Sequence, residues 1–255
     1  MADLLDLIKA TRDAVKMGQE DKRTLDGAPL LNPMDNKIAL VLLVDTSASM
    51  EGEGIEGVNR GIQLLREKIT QDDKAKKMVE ISLVSFNSEV DVVHPFSSIE
   101  EFNPQPLTVY GLTSMGKGII TAMDLVEERK KMYRETGTDY YRPWIFMITD
   151  GAATDMEIVN PKEPENVEMF KRVKDAVKTG VSDNHFHFFI VGAGDGVDME
   201  MLNELKDLEF PPRRLRRGAW DAMFSWLEIA LLQLSKSKPG DKIEVSDPTV
   251  WSISS

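Results

Sequence analysis

Four strongly apolar runs stand out along the chain: IALVLLV at 38–44, VEISLVSF at 79–86, WIFMIT at 144–149 and FHFFIV at 186–191. They show little alternation of apolar and polar positions. That is the pattern of strands covered on both faces, as in a parallel sheet. Between the runs, apolar residues step by three and four. Ile55, Val58, Ile62, Leu65 and Ile69 form one such stripe. Ile119, Met123 and Val126 form a second, Val167, Phe170, Val173 and Val177 a third, and Phe224, Leu227, Leu231 and Leu234 a fourth. Each stripe is one face of a helix. Strands alternating with helices predict an α/β fold: a doubly wound, mostly parallel central sheet with helices on both faces. A short stretch at 89–93 is expected to pair as one antiparallel edge strand after 79–86.

The two ends read differently. Residues 2–17 carry Leu4, Leu5, Ile8 and Val15 on one side of an amphipathic helix. Residues 18–36 are polar, with Gly18, Gly27, Pro29 and Pro33, and read as a linker or wrapping arm. Beyond Pro239 no clear period remains.

Composition narrows the function. The 255 residues hold 42% hydrophobic and 29% charged side chains, ordinary for a globular protein with a sizeable core. The net charge of -12 argues against nucleic acid, which needs a basic footprint, and against anionic lipid. Cysteine is absent, so disulfides, thiolate metal sites and cysteine catalysis are excluded. No run approaches the ~20 apolar residues of a membrane span. The start, MADLLDLIKA, lacks a secretory pattern, so a cytoplasmic location is expected.

In an open parallel sheet, ligands bind at the carboxyl ends of the strands. Unusual polar residues occupy those ends. The first run leads straight into Asp45-Thr46-Ser47-Ala48-Ser49, and the third into Asp150-Gly151. The loop before the second helix contains Gly111-Leu112-Thr113. Ser47 and Ser49 are two apart, so in extended chain their hydroxyls project to one side. Such hydroxyls are neutral ligands, while Asp45 and Asp150 supply negative charge, directly or through water. A hard cation such as Mg²⁺ wants this kind of oxygen shell at about 2.1 Å. Few carboxylates bonded straight to the ion leave it able to accept one from outside.

DTSAS at 45–49, GLT at 111–113 and the TD of ITDG at 148–151 together resemble the metal-ion-dependent adhesion site of von Willebrand factor A domains. The resemblance spans roughly 36–235 and implies metal ligands Asp45, Ser47, Ser49, Thr113 and Asp150. It implies Mg²⁺ as cofactor, with Mn²⁺ or Ca²⁺ as alternative occupants, and a protein partner that donates Glu or Asp. Thr113 leans most on the resemblance, since it also suits a helix cap, and Ser114 is its fallback. The segments IEGVNRG at 55–61, ITDGAATD at 148–155, VGAGDGVDMEML at 191–202 and SKSKPGDKIEV at 235–245 are similar to the bacterial TerY-type, tellurite-resistance-associated subgroup. That likeness implies a stress or defence setting, with a protein kinase and a metal-dependent protein phosphatase as partners. The expected organisation is an N-terminal helix and arm at 1–36, the A-type domain at 37–237 and a tail at 238–255.

No enzymatic activity is expected. The alternative is a Mg²⁺-dependent phosphatase or hydrolase on a similar sheet. Haloacid-dehalogenase-type phosphatases need a second Asp two residues after the first, and Ser47 stands there instead. A serine nucleophile would need a partnered base, and none is evident. The segment Gly111 to Gly118 imitates a phosphate loop, but Gly118 follows Lys117 where Ser or Thr is needed. Gly192, Gly194 and Gly196 are too closely spaced for a dinucleotide loop and read as a tight turn. His185 and His187 are read as a packed or hydrogen-bonded pair on one strand face. Arg213, Arg214, Arg216 and Arg217 read as a solvated edge, with a docking patch for an acidic or phosphorylated partner as the alternative. Asp155 and Asp195 are left as turn or supporting residues near the sheet edge.

Overall fold

The computed structural model describes residues 35–254, except 161, 208 and 241–246. The N-terminal helix and arm expected at 2–17 and 18–36 lie almost wholly outside the described residues.

The apolar runs form β1 (Ile38–Asp45), β2 (Val79–Phe86), β4 (Trp144–Thr149) and β5 (His187–Gly192). β3 (Val90–Ser98) folds back on β2, and β6 (Arg213–Leu215) and β7 (Ser252–Ser254) complete the sheet. The seven strands lie in the order β3-β2-β1-β4-β5-β6-β7. β2, β1, β4, β5 and β6 are mutually parallel. β3 and β7 pair antiparallel at the two edges, so there are two such strands where the sequence pattern predicts one.

The helices are α1 (Glu53–Thr70), α2 (Ala75–Met78), α3 (Met115–Thr136), α4 (Pro164–Ser182), α5 (Met199–Glu204) and α6 (Trp220–Lys236). Every residue of β1 is buried, because its two faces serve two cores. Leu40, Leu42 and Val44 pack toward α1 and α6. Ala39, Val41 and Leu43 pack toward α3 and α4. That double burial removes the alternation a one-sided strand would show. Glycine lets α1 and α6 approach closely: a Cβ on Gly61 would fall 1.9 Å from the Phe224 ring. Among the described residues, no helix is long and apolar enough to cross a membrane.

The chain leaves β1 through α1 toward β2 and returns through α3 to β4 on the other side of β1. The connections therefore diverge at the carboxyl ends of β1 and β4, the switch point where open α/β sheets bind ligands. The opposite end of the sheet holds a closed charge network. Glu80 on β2 is 1% exposed. Arg129 donates to it from Nε at 2.8 Å and Tyr133 from its hydroxyl at 2.5 Å. Arg129 Nη2 lies 2.7 Å away and Lys37 Nζ 3.9 Å away.

Candidate metal centre

The site begins with register. Val44 pairs with Ile148, so the next residues, Asp45 and Thr149, lie side by side where the two strands end. Thr149 Oγ1 donates to Asp45 Oδ2 at 2.6 Å, and the Ser47 backbone N–H donates to Asp45 Oδ1 at 2.8 Å. A single tight turn at Ala48–Met50 then brings Ser49 back beside Ser47. Their hydroxyl oxygens are 3.0 Å apart, and Ser49 Oγ donates to Asp150 Oδ1 at 2.7 Å. Thr113 enters from the loop before α3. Its N–H donates to Thr154 Oγ1 at 3.1 Å, and its carbonyl accepts from Thr154 N–H at 2.9 Å. A Cβ on Gly151 would meet Ser49 Oγ at 3.5 Å and Thr113 Oγ1 at 3.7 Å, so the two hydroxyls flank that glycine. Asp45, Ser47, Ser49 and Asp150 thus share one hydrogen-bonded chain, and Thr113 reaches the same corner without joining it.

The electrostatics are unbalanced. Asp45 is 0% exposed, and Asp150 is half-buried. Burial pushes the Asp45 carboxyl above its ordinary value; bonds from Ser47 and Thr149 pull it down, and the charge of Asp150 pushes it up again. Burial likewise raises Asp150, against the Ser49 bond. Among the described residues neither carboxylate takes part in an ion pair.

The donor set is all oxygen, which suits a hard cation over a thiophilic one. The spacing suits it too. Adjacent corners of an octahedron with bonds of about 2.1 Å lie about 3.0 Å apart, close to the 3.0 and 2.7 Å between successive site oxygens.

The family model of the von Willebrand factor type A domain matches residues 39–212. The chain belongs to the von Willebrand factor type A family. No curated protein matches its sequence. Among solved structures, the open conformation of the pilus adhesin SpaC from Lactobacillus rhamnosus GG is similar, with a TM-score of 0.62 at 13% identity, over 82% of this chain and 31% of that one. The PilB minor pilin from Streptococcus sanguinis aligns with a TM-score of 0.55 at 12% identity, over 79% and 62%. Proximal thread matrix protein 1 from the mussel byssus gives 0.51 at 14% identity, over 78% and 48%. These likenesses concern the fold alone, and the chain spans less than two thirds of each of those proteins.

In this A-type domain the hydroxyls near the two helix starts do not act as caps. Ser47 makes no capping bond from its side chain, and α1 starts from Gly52. Nor do Thr113 or Ser114 cap α3. Asp155 does so instead, accepting from Gly116 N and Lys117 N at 3.0 Å each. That carboxylate fills the helix start where a phosphate loop would hold phosphate. Ser114, the fallback for Thr113, turns its hydroxyl to the Ser88 carbonyl at 3.3 Å. Thr149 and Thr154 are positioning residues that the sequence pattern leaves without a role, and Asp155, expected as a turn or supporting residue, is the cap of α3. Their only signal was their closeness to Asp150 in ITDGAATD.

Two further expectations change. His185 and His187 do not form a pair: His185 precedes β5 and contacts Glu127 and Lys130 of α3, while His187 contacts Asp207. The arginine run is not simply a solvated edge. Its first part is β6, and Arg214, Arg216 and Arg217 line a groove of about 560 Å³ together with Ser49 and Asp150.

Proposed function

We propose that this domain is a metal-dependent protein-interaction module. Asp45, Ser47, Ser49, Thr113 and Asp150 hold one divalent cation, Mg²⁺ by chemical preference, and a partner protein completes the shell with a Glu or Asp carboxylate. The observation that carries the reading is the pairing of a buried and a half-buried carboxylate, free of ion pairs among the described residues, with hydroxyls at octahedral spacing. A bound cation supplies the missing positive charge and an open coordination position. The arginines lining the adjoining groove favour an acidic arrival.

The hydrolase alternative lacks its parts. Ser47 stands where a general acid is needed, and all three histidines are engaged elsewhere: His94 with the Pro95 carbonyl, His185 with α3 and His187 with Asp207.

We place the functional unit at 37–237, with β7 of the tail closing the sheet edge. The TerY-type motifs support a cytoplasmic stress or defence role beside a protein kinase and a metal-dependent phosphatase. The test is titration with Mg²⁺ and Mn²⁺ of wild type, Asp45→Ala and Asp150→Ala, joined to capture of the partner from the native host with and without EDTA. The proposal requires metal binding and EDTA-sensitive capture that both variants lose. Partner capture indifferent to EDTA and to both substitutions would refute it, and robust Mg²⁺-dependent phosphatase turnover lost in Asp45→Asn would favour the alternative.

A further inference from the structure

We propose that His187, Asp207 and Glu209 form a second divalent-metal site, suited to zinc, at the end of the sheet opposite the five oxygen donors. It is independent of the first site. His187 opens β5, whereas Asp45 and Thr149 close the parallel strands β1 and β4. Asp207 and Glu209 come from the loop between α5 and β6.

Geometry carries the proposal. One ligand atom from each residue lies within 4.8 Å of the other two. His187 Nδ1 is 3.3 Å from Asp207 Oδ2 and 3.7 Å from Glu209 Oε2. A tetrahedral zinc ion with bonds of about 2.0–2.1 Å sets its ligand atoms about 3.3–3.4 Å apart. Small side-chain adjustments close the remaining gap, and Glu209 can make them because its side chain is 67% exposed. The open side leaves room for water as a fourth ligand.

Each ligand is prepared for the role. Asp207 is 1% exposed. Its Oδ1 is anchored by the Glu209 N–H at 2.8 Å, while Oδ2 faces His187 Nδ1 at 3.3 Å and takes a long contact of 3.4 Å from the Phe188 N–H. The imidazole is fixed by the Phe210 ring, edge-on at 5.1 Å. Arg142 is the nearby cation. Its Nη2 donates to the Val181 and Phe186 carbonyls at 2.7 and 2.6 Å and its Nη1 to Asn184 Oδ1 at 3.0 Å. Its Nη1 also stands 3.9 Å from Glu209 Oε2, the oxygen that faces His187, so it offsets negative charge there and an arriving ion would share that oxygen with it. One imidazole and two carboxylates make a borderline donor set, which prefers Zn²⁺, Co²⁺ or Ni²⁺ over the Mg²⁺ suited to the all-oxygen site. An ion here would tie the loop before β6 to the start of β5.

The test is zinc calorimetry and Co²⁺ absorption on the full chain carrying Asp45→Ala and Asp150→Ala, which removes the first site. One equivalent of Zn²⁺ should bind. Adding Glu209→Gln or His187→Gln should weaken it at least about 100-fold, since even outer partners of a metal ligand cost 10–100-fold. Melting in EDTA shows that each variant is folded. Should the double variant fail to fold, the same titration is made on wild type in excess Mg²⁺. Absence of a zinc equivalent in the parent, or equal affinity after Glu209→Gln and His187→Gln, overturns the proposal. Neither result bears on the oxygen-lined site.

Discussion

Glu80 and Asp45 are buried carboxylates on adjacent central strands, at opposite ends of the same pair. Glu80 sits among Arg129, Lys37 and Tyr133, which supply positive charge and a hydroxyl. Asp45 sits among Thr149, Ser47 and a second acid, Asp150. Buried charge is tolerated when paired and bonded. The chain satisfies that requirement internally at one end of the sheet. At the other end it satisfies the hydrogen bonds and leaves the charge open. On the proposed function, the difference separates a structural acid from one whose charge an incoming cation completes.

The sharpest way to break this contrast is at Glu80. Glu80→Gln leaves Arg129 buried without its counter-charge, and removing one partner of a buried pair costs about 3–5 kcal/mol. Urea denaturation should show that loss, while the Mg²⁺ response stays as in wild type. An unchanged midpoint would mean that the network is not the closed structure described.

Next comes the ion itself. A ligand at about 100 times its Kd adds about 2.7 kcal/mol to the folded state. Mg²⁺ or Mn²⁺ should raise the melting temperature by the corresponding amount in wild type. Asp45→Asn and Asp150→Asn should lose the rise while melting in EDTA much as wild type does. If the Glu80 variant loses the metal response and these two keep it, the two ends have been assigned the wrong way round.

A smaller effect is expected from Thr149→Val, which deletes the 2.6 Å bond to Asp45 Oδ2. Leaving a buried acceptor short of a partner costs about 1–3 kcal/mol. Calorimetric melting should show most of that cost in EDTA and less of it with Mn²⁺ bound, because the ion takes up the carboxylate's charge. The smallest effect is expected at Arg60→Ala, whose ion pair with Asp221 at 3.0 Å is largely exposed. Exposed pairs contribute about 0–1 kcal/mol. A larger loss on denaturation would show that charge balance at the surface matters more than the contrast allows.

Much of this was legible in the sequence where a residue's neighbours are set by the strand it belongs to. β1, β2, β4 and β5 could be read because burial on both faces leaves nearly unbroken apolar runs. That Asp45, Ser47, Ser49 and Asp150 meet at one corner could be read because they follow those runs directly. Thr113 needed the family resemblance, since its loop meets the others only in space. β6 could not be read: its residues are Arg213, Arg214 and Leu215, and pairing with β5 and β7 holds them extended. β7 and α5 are too short to show a period. The capping of α3 by Asp155, and the meeting of His187 with Asp207, join segments far apart in sequence. No local pattern encodes them.

On the proposed function, separate loops gather their oxygens around a single ion. Crystals of the full chain grown with Mn²⁺, measured for anomalous scattering, test it most directly. One peak is expected, bonded to Ser47 Oγ and Ser49 Oγ at about 2.1–2.2 Å, with Thr113, Asp45 and Asp150 contributing directly or through water. Density showing those side chains around no ion at saturating Mn²⁺, or the ion held elsewhere, would contradict it.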